Sequence, residues 1–178
     1  NAINRVAADT APHGAWSRLE RGELPMEAFY PAFEADCAAA GLTISAREMM
    51  VRVGQAAVPR ESMLTAIARI REAGLLTAAL TNNWANDAPG PDDGTRALRE
   101  HFHVFIESSV EGLRKPDPRI YELACSRLRV APREAAFLDD IGANLKSARA
   151  LGMQTIKVDD PDDALRELES ILDLPLLP

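Results

Sequence analysis

Three short stretches of this sequence end in side chains suited to handling a charged, oxygen-rich substrate. Leu80-Thr81-Asn82-Asn83 closes an apolar run with a hydroxyl and two amides. Gly112-Leu113-Arg114-Lys115-Pro116-Asp117-Pro118 sets a lysine in a loop stiffened by two prolines. Phe137-Leu138-Asp139-Asp140 closes another apolar run with adjacent carboxylates. Together they offer donors for phosphoryl oxygens, a cation to offset charge, and hard oxygen ligands for a divalent metal ion. Each stretch alone has a plainer reading. Thr81 reads as a strand end, Asn82-Asn83 as a turn, Lys115 as a solvated surface lysine, and Asp139 or Asp140 as a helix cap. The acidic pair is the most telling of the three, because adjacent carboxylates repel unless a cation sits beside them.

An alternation of strands and helices must position these groups. After Pro59, Leu64, Ile67 and Ile70 mark a helix face that ends near Gly74. The run 75–80 predicts a buried strand, followed by a Pro/Gly/Asp-rich loop from Asn86 to Gly94. Val104-Phe105-Ile106 predicts a second strand, and Ile120, Tyr121, Ala124 and Leu128 the next helix face. Ala135-Ala136-Phe137-Leu138 and Thr155-Ile156-Lys157-Val158 predict two more strands, and a last helix covers about 162–172. Such alternation implies a parallel sheet with helices on both faces, an α/β fold that binds ligands at the C-terminal strand ends. All three chemical stretches fall at those ends or open the following helix.

Before Val58 the texture is helical only. Met26, Phe29, Phe33 and Cys37 share one helix face, Pro25 suits its first turn, and Gly41 is a natural stop. Pro31 falls inside the pattern and predicts a kink or a break. A second short helix is expected over 46–54. The division into residues 1–58 and 59–178 is therefore one of texture.

With 178 residues and 47% hydrophobic content, the chain can build one ordinary core with a small insertion. A net charge of −7 excludes a general nucleic-acid binder, which needs a basic face. Cys37 and Cys125 lie far apart and suggest reduced, buried thiols in a cytoplasmic setting. No apolar stretch is long enough to span a bilayer, and no leader is visible in these residues.

The three stretches, in this order, resemble motifs II, III and IV of the haloacid dehalogenase superfamily. The stretch from Phe137 to Met153, with Gly14-Ala15-Trp16-Ser17-Arg18-Leu19 and Gly22-Glu23-Leu24, is similar to the phosphatase domains fused to soluble epoxide hydrolases and to some acyl-CoA dehydrogenases. The resemblance implies a Rossmann-like parallel core over 59–178, a helical cap over 1–58, and a magnesium-dependent phosphatase. It implies that Thr81 and Asn82 bind the phosphoryl group and that Lys115 neutralises it. Asp140 would bind Mg²⁺, Asp139 would orient Lys115 or a metal-bound water, and Asn144 would support the metal shell or bond Asp140.

The same family uses an Asp-x-Asp motif I on its first core strand, as nucleophile and as general acid and base. Asp92-Asp93-Gly94-Thr95 has no apolar strand before it, and Asp160-Pro161-Asp162 comes after motif IV. Neither fits. The nucleophile is expected upstream of Asn1, on a strand between those ending at Thr81 and Asp139. The competing reading is an inactive binding or regulatory module of the same fold. A phosphonate-cleaving enzyme is disfavoured, because 1–58 contain no lysine for a Schiff base. Trp16, Arg18, Arg21, Phe29, Tyr30 and Phe33 offer a mixed apolar and basic surface that suits a phosphate ester with an organic tail, although a helical core with a solvated rim is the plainer reading. Oligomeric state is open at this level.

Overall fold

The structure, a computed structural model, describes residues 2–56, 58–85 and 95–177. In chain order the helices are α1 (Ala2–Asp9), α2 (Ala15–Glu20), α3 (Met26–Ala39), α4 (Ala46–Ala56) and α5 (Glu61–Glu72), then α6 (Thr95–Arg99), α7 (Ser108–Glu111), α8 (Pro118–Leu128), α9 (Gly142–Ala150) and α10 (Pro161–Leu172). The strands are β1 (Ala78–Thr81), β2 (Val104–Glu107), β3 (Ala136–Asp139) and β4 (Gln154–Lys157). The described residues form two compact units. The first holds 2–56, Val58, 82–85 and 107–114; the second holds 59–81, 95–106 and 115–177. The sequence expected a single boundary near Val58; two later segments also cluster with the first unit.

The first unit is a helical packing problem solved with aromatic rings. Phe29, Phe33 and Cys37 recur on one face of α3 and are fully buried. The two phenyl rings stack at 5.3 Å, and Trp16 of α2 meets them at 5.8 and 5.4 Å. Pro31 does not break α3. An internal proline costs about 3 kcal/mol. Burying Phe29 and Phe33 contributes roughly 1.5–3 kcal/mol each, so the packing face outweighs the missing bond. Gly41, at φ 77°, sits just past the end of the helix.

In the second unit β1 pairs with β2, and β3 pairs with β4. The β3–β4 ladder is parallel, with Ala136 opposite Gln154 and Asp139 opposite Lys157. Ala66 and Ile70 of α5, Ile156 of β4, and Leu165 and Leu168 of α10 make an aliphatic core with Leu176. Among the described residues no ladder joins β1 to β3. The strands are accordingly half-buried rather than buried as expected. Leu75 and Leu76, expected in the first strand, precede it and are exposed. Gly74 takes φ 81° to close α5, and the Leu75 N–H still bonds the Ile70 carbonyl, so the chain becomes extended only later.

The loop 86–94 and the Asp92-Asp93-Gly94 decoy lie outside the described residues. No helix among the described residues is long and apolar enough to cross a membrane. Cys37 and Cys125 are free and buried, and burial pushes both thiols up.

Candidate functional site

Strand alternation separates the two carboxylates at the end of β3. Successive side chains on an extended chain point to opposite sides. Asp139 is turned inward and buried, while Asp140 is exposed. The Asp139 carboxylate is fully engaged. Its Oδ1 accepts from the Ile141 N–H at 2.8 Å and from Asn144 Nδ2 at 3.0 Å, and its Oδ2 accepts from Lys115 Nζ at 2.7 Å. The three donors, two at the entry to α9 and one from the loop before α8, fix its orientation. The Ile141 bond also starts the turn into α9, so the plainer reading of Asp139 as a helix-entry residue holds as well.

Lys115 approaches along a loop that ends in a well-formed helix start. Asp117 caps α8 by accepting from the Arg119 N–H, and Pro118 occupies the first turn. The Arg119 guanidinium holds the Asp117 carboxyl below the usual carboxylate range. Lys115 is not a solvated surface lysine: its side chain is 13% exposed, against 4% for Asp139. Its ammonium also lies 5.6 Å from the centre of the Phe137 ring.

Tyr121 of α8 supports this arrangement from below. It is fully buried, donates to the Asn144 carbonyl at 3.0 Å, and meets Phe137 edge-on at 5.1 Å. Burial, and then the Asp139 charge, push its phenol well above the ordinary tyrosine range. The hydroxyl therefore stays a donor and holds α9, and Asn144 with it, against Asp139.

Lys115, Asp139 and Asp140 line one cavity of about 500 Å³, together with Arg60, Leu138, Val158, Asp159 and Pro161. Its chemistry is mixed: two cations and three carboxylates around an open space. Thr81 ends β1 half-buried and is not among the lining residues. Asn82 falls in the first unit, with Nδ2 3.5 Å from Glu20 Oε2. Asn144 bonds Asp139 and not Asp140. The Asp160-Pro161-Asp162 decoy is a helix cap, with Asp160 accepting from the Asp162 and Asp163 N–H groups.

The sequence reading missed Arg60 and Asp159. Asp159 lies just past β4, so the rule applied to the other strand ends also selects it. Arg60 precedes α5, where nothing in its neighbours distinguishes it from a solvated arginine.

The profile of haloacid dehalogenase-like hydrolases matches residues 7–152. Acyl-CoA dehydrogenase family member 10 of Mus musculus is 41% identical over 169 residues, 92% of this chain and 15% of that protein. Bifunctional epoxide hydrolase 2 of Sus scrofa is 37% identical over 188 residues, 98% of this chain and 34% of that protein. The chain thus spans a minor part of both relatives. A haloacid dehalogenase family enzyme of Bacteroides thetaiotaomicron, solved with magnesium and inorganic phosphate, superposes with a TM-score of 0.62 at 17% identity, covering 91% of this chain and 84% of that one. It shares the fold. On the profile and the two relatives, this chain belongs to the haloacid dehalogenase-like hydrolases.

Proposed function

We propose that this protein is a magnesium-dependent phosphomonoesterase, with residues 1–58 as its cap and 59–178 as its catalytic core. The observation that carries the proposal is the buried Lys115–Asp139 pair beside an exposed Asp140, all on one cavity. A lysine held this way presents a fixed positive charge to an anion without having to order itself on binding. Thr81 would contribute its hydroxyl and Asn82 its backbone or side-chain N–H to the phosphoryl oxygens.

The donor set fits magnesium. Among the described residues no three His, Cys, Asp or Glu side chains gather as a self-sufficient metal cage. Magnesium needs none, since it is commonly held by one or two carboxylates plus waters and substrate phosphate. Asp140 would hold it, while Asp139 is already committed to Lys115 and Asn144. Bound there, the ion would offset negative charge on the phosphoryl group.

The nucleophile in this reading is an aspartate of an Asp-x-Asp segment N-terminal to Asn1. Its carboxylate forms a bond to phosphorus as the ester P–O bond breaks, and the second aspartate protonates the leaving oxygen. Among the described residues β1 and β3 each have a single ladder neighbour, which supports a further strand between them. For the substrate we propose a small phosphate ester with an organic tail. Phe29 and Phe33 are committed to the core, and Arg21 is paired with Glu23 at 2.6 Å. Trp16 and Tyr30 are half-buried and Arg18 is exposed. Buried, reduced thiols suit the cytoplasm.

The test is phosphate release from a chromogenic aryl phosphate by the full-length protein. Release with Mg²⁺ that stops on chelation is expected, and undiminished release after chelation contradicts the metal role. The rival reading is an inactive binding module, and Asp160-Pro161-Asp162 supplies no nucleophile because Asp160 caps α10. Phosphate binding without turnover would support that rival.

A further inference from the structure

Glu20 is a buried carboxylate that the chemistry above does not use. It ends α2, with a side chain only 8% exposed. It accepts from Arg114 Nε at 2.5 Å and, one helical turn back, from Trp16 Nε1 at 3.0 Å. Asn82 Nδ2 stands at 3.5 Å from its other partner-facing oxygen, Oε2, which Arg114 also contacts. A second knot lies beside it. The Asn83 N–H donates to Ser108 Oγ at 2.9 Å, and Asn83 Nδ2 donates to Glu107 at 2.8 Å. Ser109 Oγ donates back to Asn83 Oδ1 at 3.0 Å. Within the first unit, segments 82–85 and 107–114 are thereby tied to each other and to α2.

The tied residues have informative neighbours along the chain. Asn82 follows Thr81, and Arg114 precedes Lys115. Adjacent Cα atoms are held about 3.8 Å apart by the trans peptide between them. A residue whose neighbour is anchored therefore has few ways to shift. The bland account is a buried ion pair that serves packing alone. Such a pair is weak grounds for stability, because apolar residues of similar volume often serve as well. What the bland account leaves unexplained is the choice of donors. Glu20 gathers the side chains that adjoin two site residues lying 34 positions apart, at 81 and 115.

We propose that Glu20 is a positioning residue: by holding Arg114 it fixes the backbone at Lys115. The inference rests on the phosphatase reading and adds to it a residue that never touches substrate. Loss of the anchor leaves the Lys115 charge in place but widens its range of positions. The effect therefore falls on turnover more than on substrate binding.

The experiment uses full-length Glu20→Gln and Arg114→Lys, each with the aryl phosphate and with deuterium exchange over 112–118. Glu20→Gln keeps the shape and removes the charge. Arg114→Lys keeps a charge and loses the planar fork, and it decides the question should Glu20→Gln not fold. A fall in kcat of about 10- to 100-fold with KM within about twofold is expected, as for a misplaced catalytic group. Faster exchange over 112–118 should accompany it. The double variant Glu20→Gln/Arg114→Lys should be no worse than the poorer single variant, because both act through one contact. Folded variants with kcat within about twofold of the parent overturn the proposal, as does unchanged exchange over 112–118. A parent that hydrolyses no phosphate ester sinks the phosphatase reading instead, and the exchange data still decide the positioning role.

Discussion

Arg114 and Lys115 are consecutive, both basic and both paired with a buried carboxylate, yet their surroundings differ. Arg114 pairs with Glu20 inside the helical unit, where Glu20 also meets Trp16 and Asn82. Lys115 pairs with Asp139 inside the strand-containing unit, on the wall of a cavity of about 500 Å³ that also holds Asp140. Both pairs are largely buried, with Arg114 19% and Lys115 13% exposed, and the second lines a cavity that two further carboxylates share. The same ion-pair chemistry can therefore anchor a backbone or present a charge, and what surrounds the pair decides which. Asp139 makes the difference concrete: three donors hold it, so the lysine is paired with a carboxylate of fixed orientation.

The largest effect that would sharpen this contrast is at Lys115. Lys115→Met keeps the length and removes the charge. Turnover should fall on the order of 100-fold or more, as when one preorganised electrostatic group is lost. Stability should fall by about 3 kcal/mol, because Asp139 is left buried without its cation. Denaturant unfolding and steady-state kinetics on the same preparations check both. A loss of stability with turnover within about twofold of the parent would make Lys115 a structural residue like Arg114 and erase the contrast.

A smaller effect is expected at Tyr121, which holds Asn144 behind the Lys115–Asp139 pair. Tyr121→Phe removes one buried hydrogen bond and should cost about 1 kcal/mol. Its pH dependence gives the sharper signature. The phenol is raised above its ordinary value of 10.0, first by burial and then by Asp139. A raised acid is favoured in its neutral form by the fold. Its contribution is complete below about pH 10 and is lost as pH rises above that, while the unfolded chain ionises. The parent should lose stability steeply above pH 10, and Tyr121→Phe should lose less. Parallel alkaline curves for the two proteins would contradict the assignment.

Much of this arrangement was legible in the sequence because strand ends are legible. An apolar run closing in Asp139-Asp140 marks both a position and a chemistry, and alternation along the strand separates a buried carboxylate from an exposed one. Lys115 was conspicuous between Arg114 and a proline. Partners across the fold were less accessible. Asn144 sits five residues after Asp139 and four after Asp140, and only the geometry of the β3–α9 turn decides that it bonds the former. Glu20 was invisible for a related reason: a Trp16-Glu20 pair at helical spacing reads as a solvated rim, and nothing local says that Arg114 closes over it. Pro31 misled because local propensity predicts a break, while the buried face of α3 lies elsewhere on the helix. Leu75 and Leu76 misled because hydrophobicity extended the expected strand back into the turn after α5.

The most direct measurement of the central claim is magnesium-dependent turnover of the aryl phosphate by full-length Asp140→Asn beside the parent. Asp140 is an exposed carboxylate of the cavity, and the change to asparagine removes its charge with little change in shape. If Asp140 holds the metal, the parent should saturate with Mg²⁺, and the variant, unchanged in fold, should need far more metal and turn over more slowly. A variant that matches the parent in both metal requirement and turnover would contradict that role.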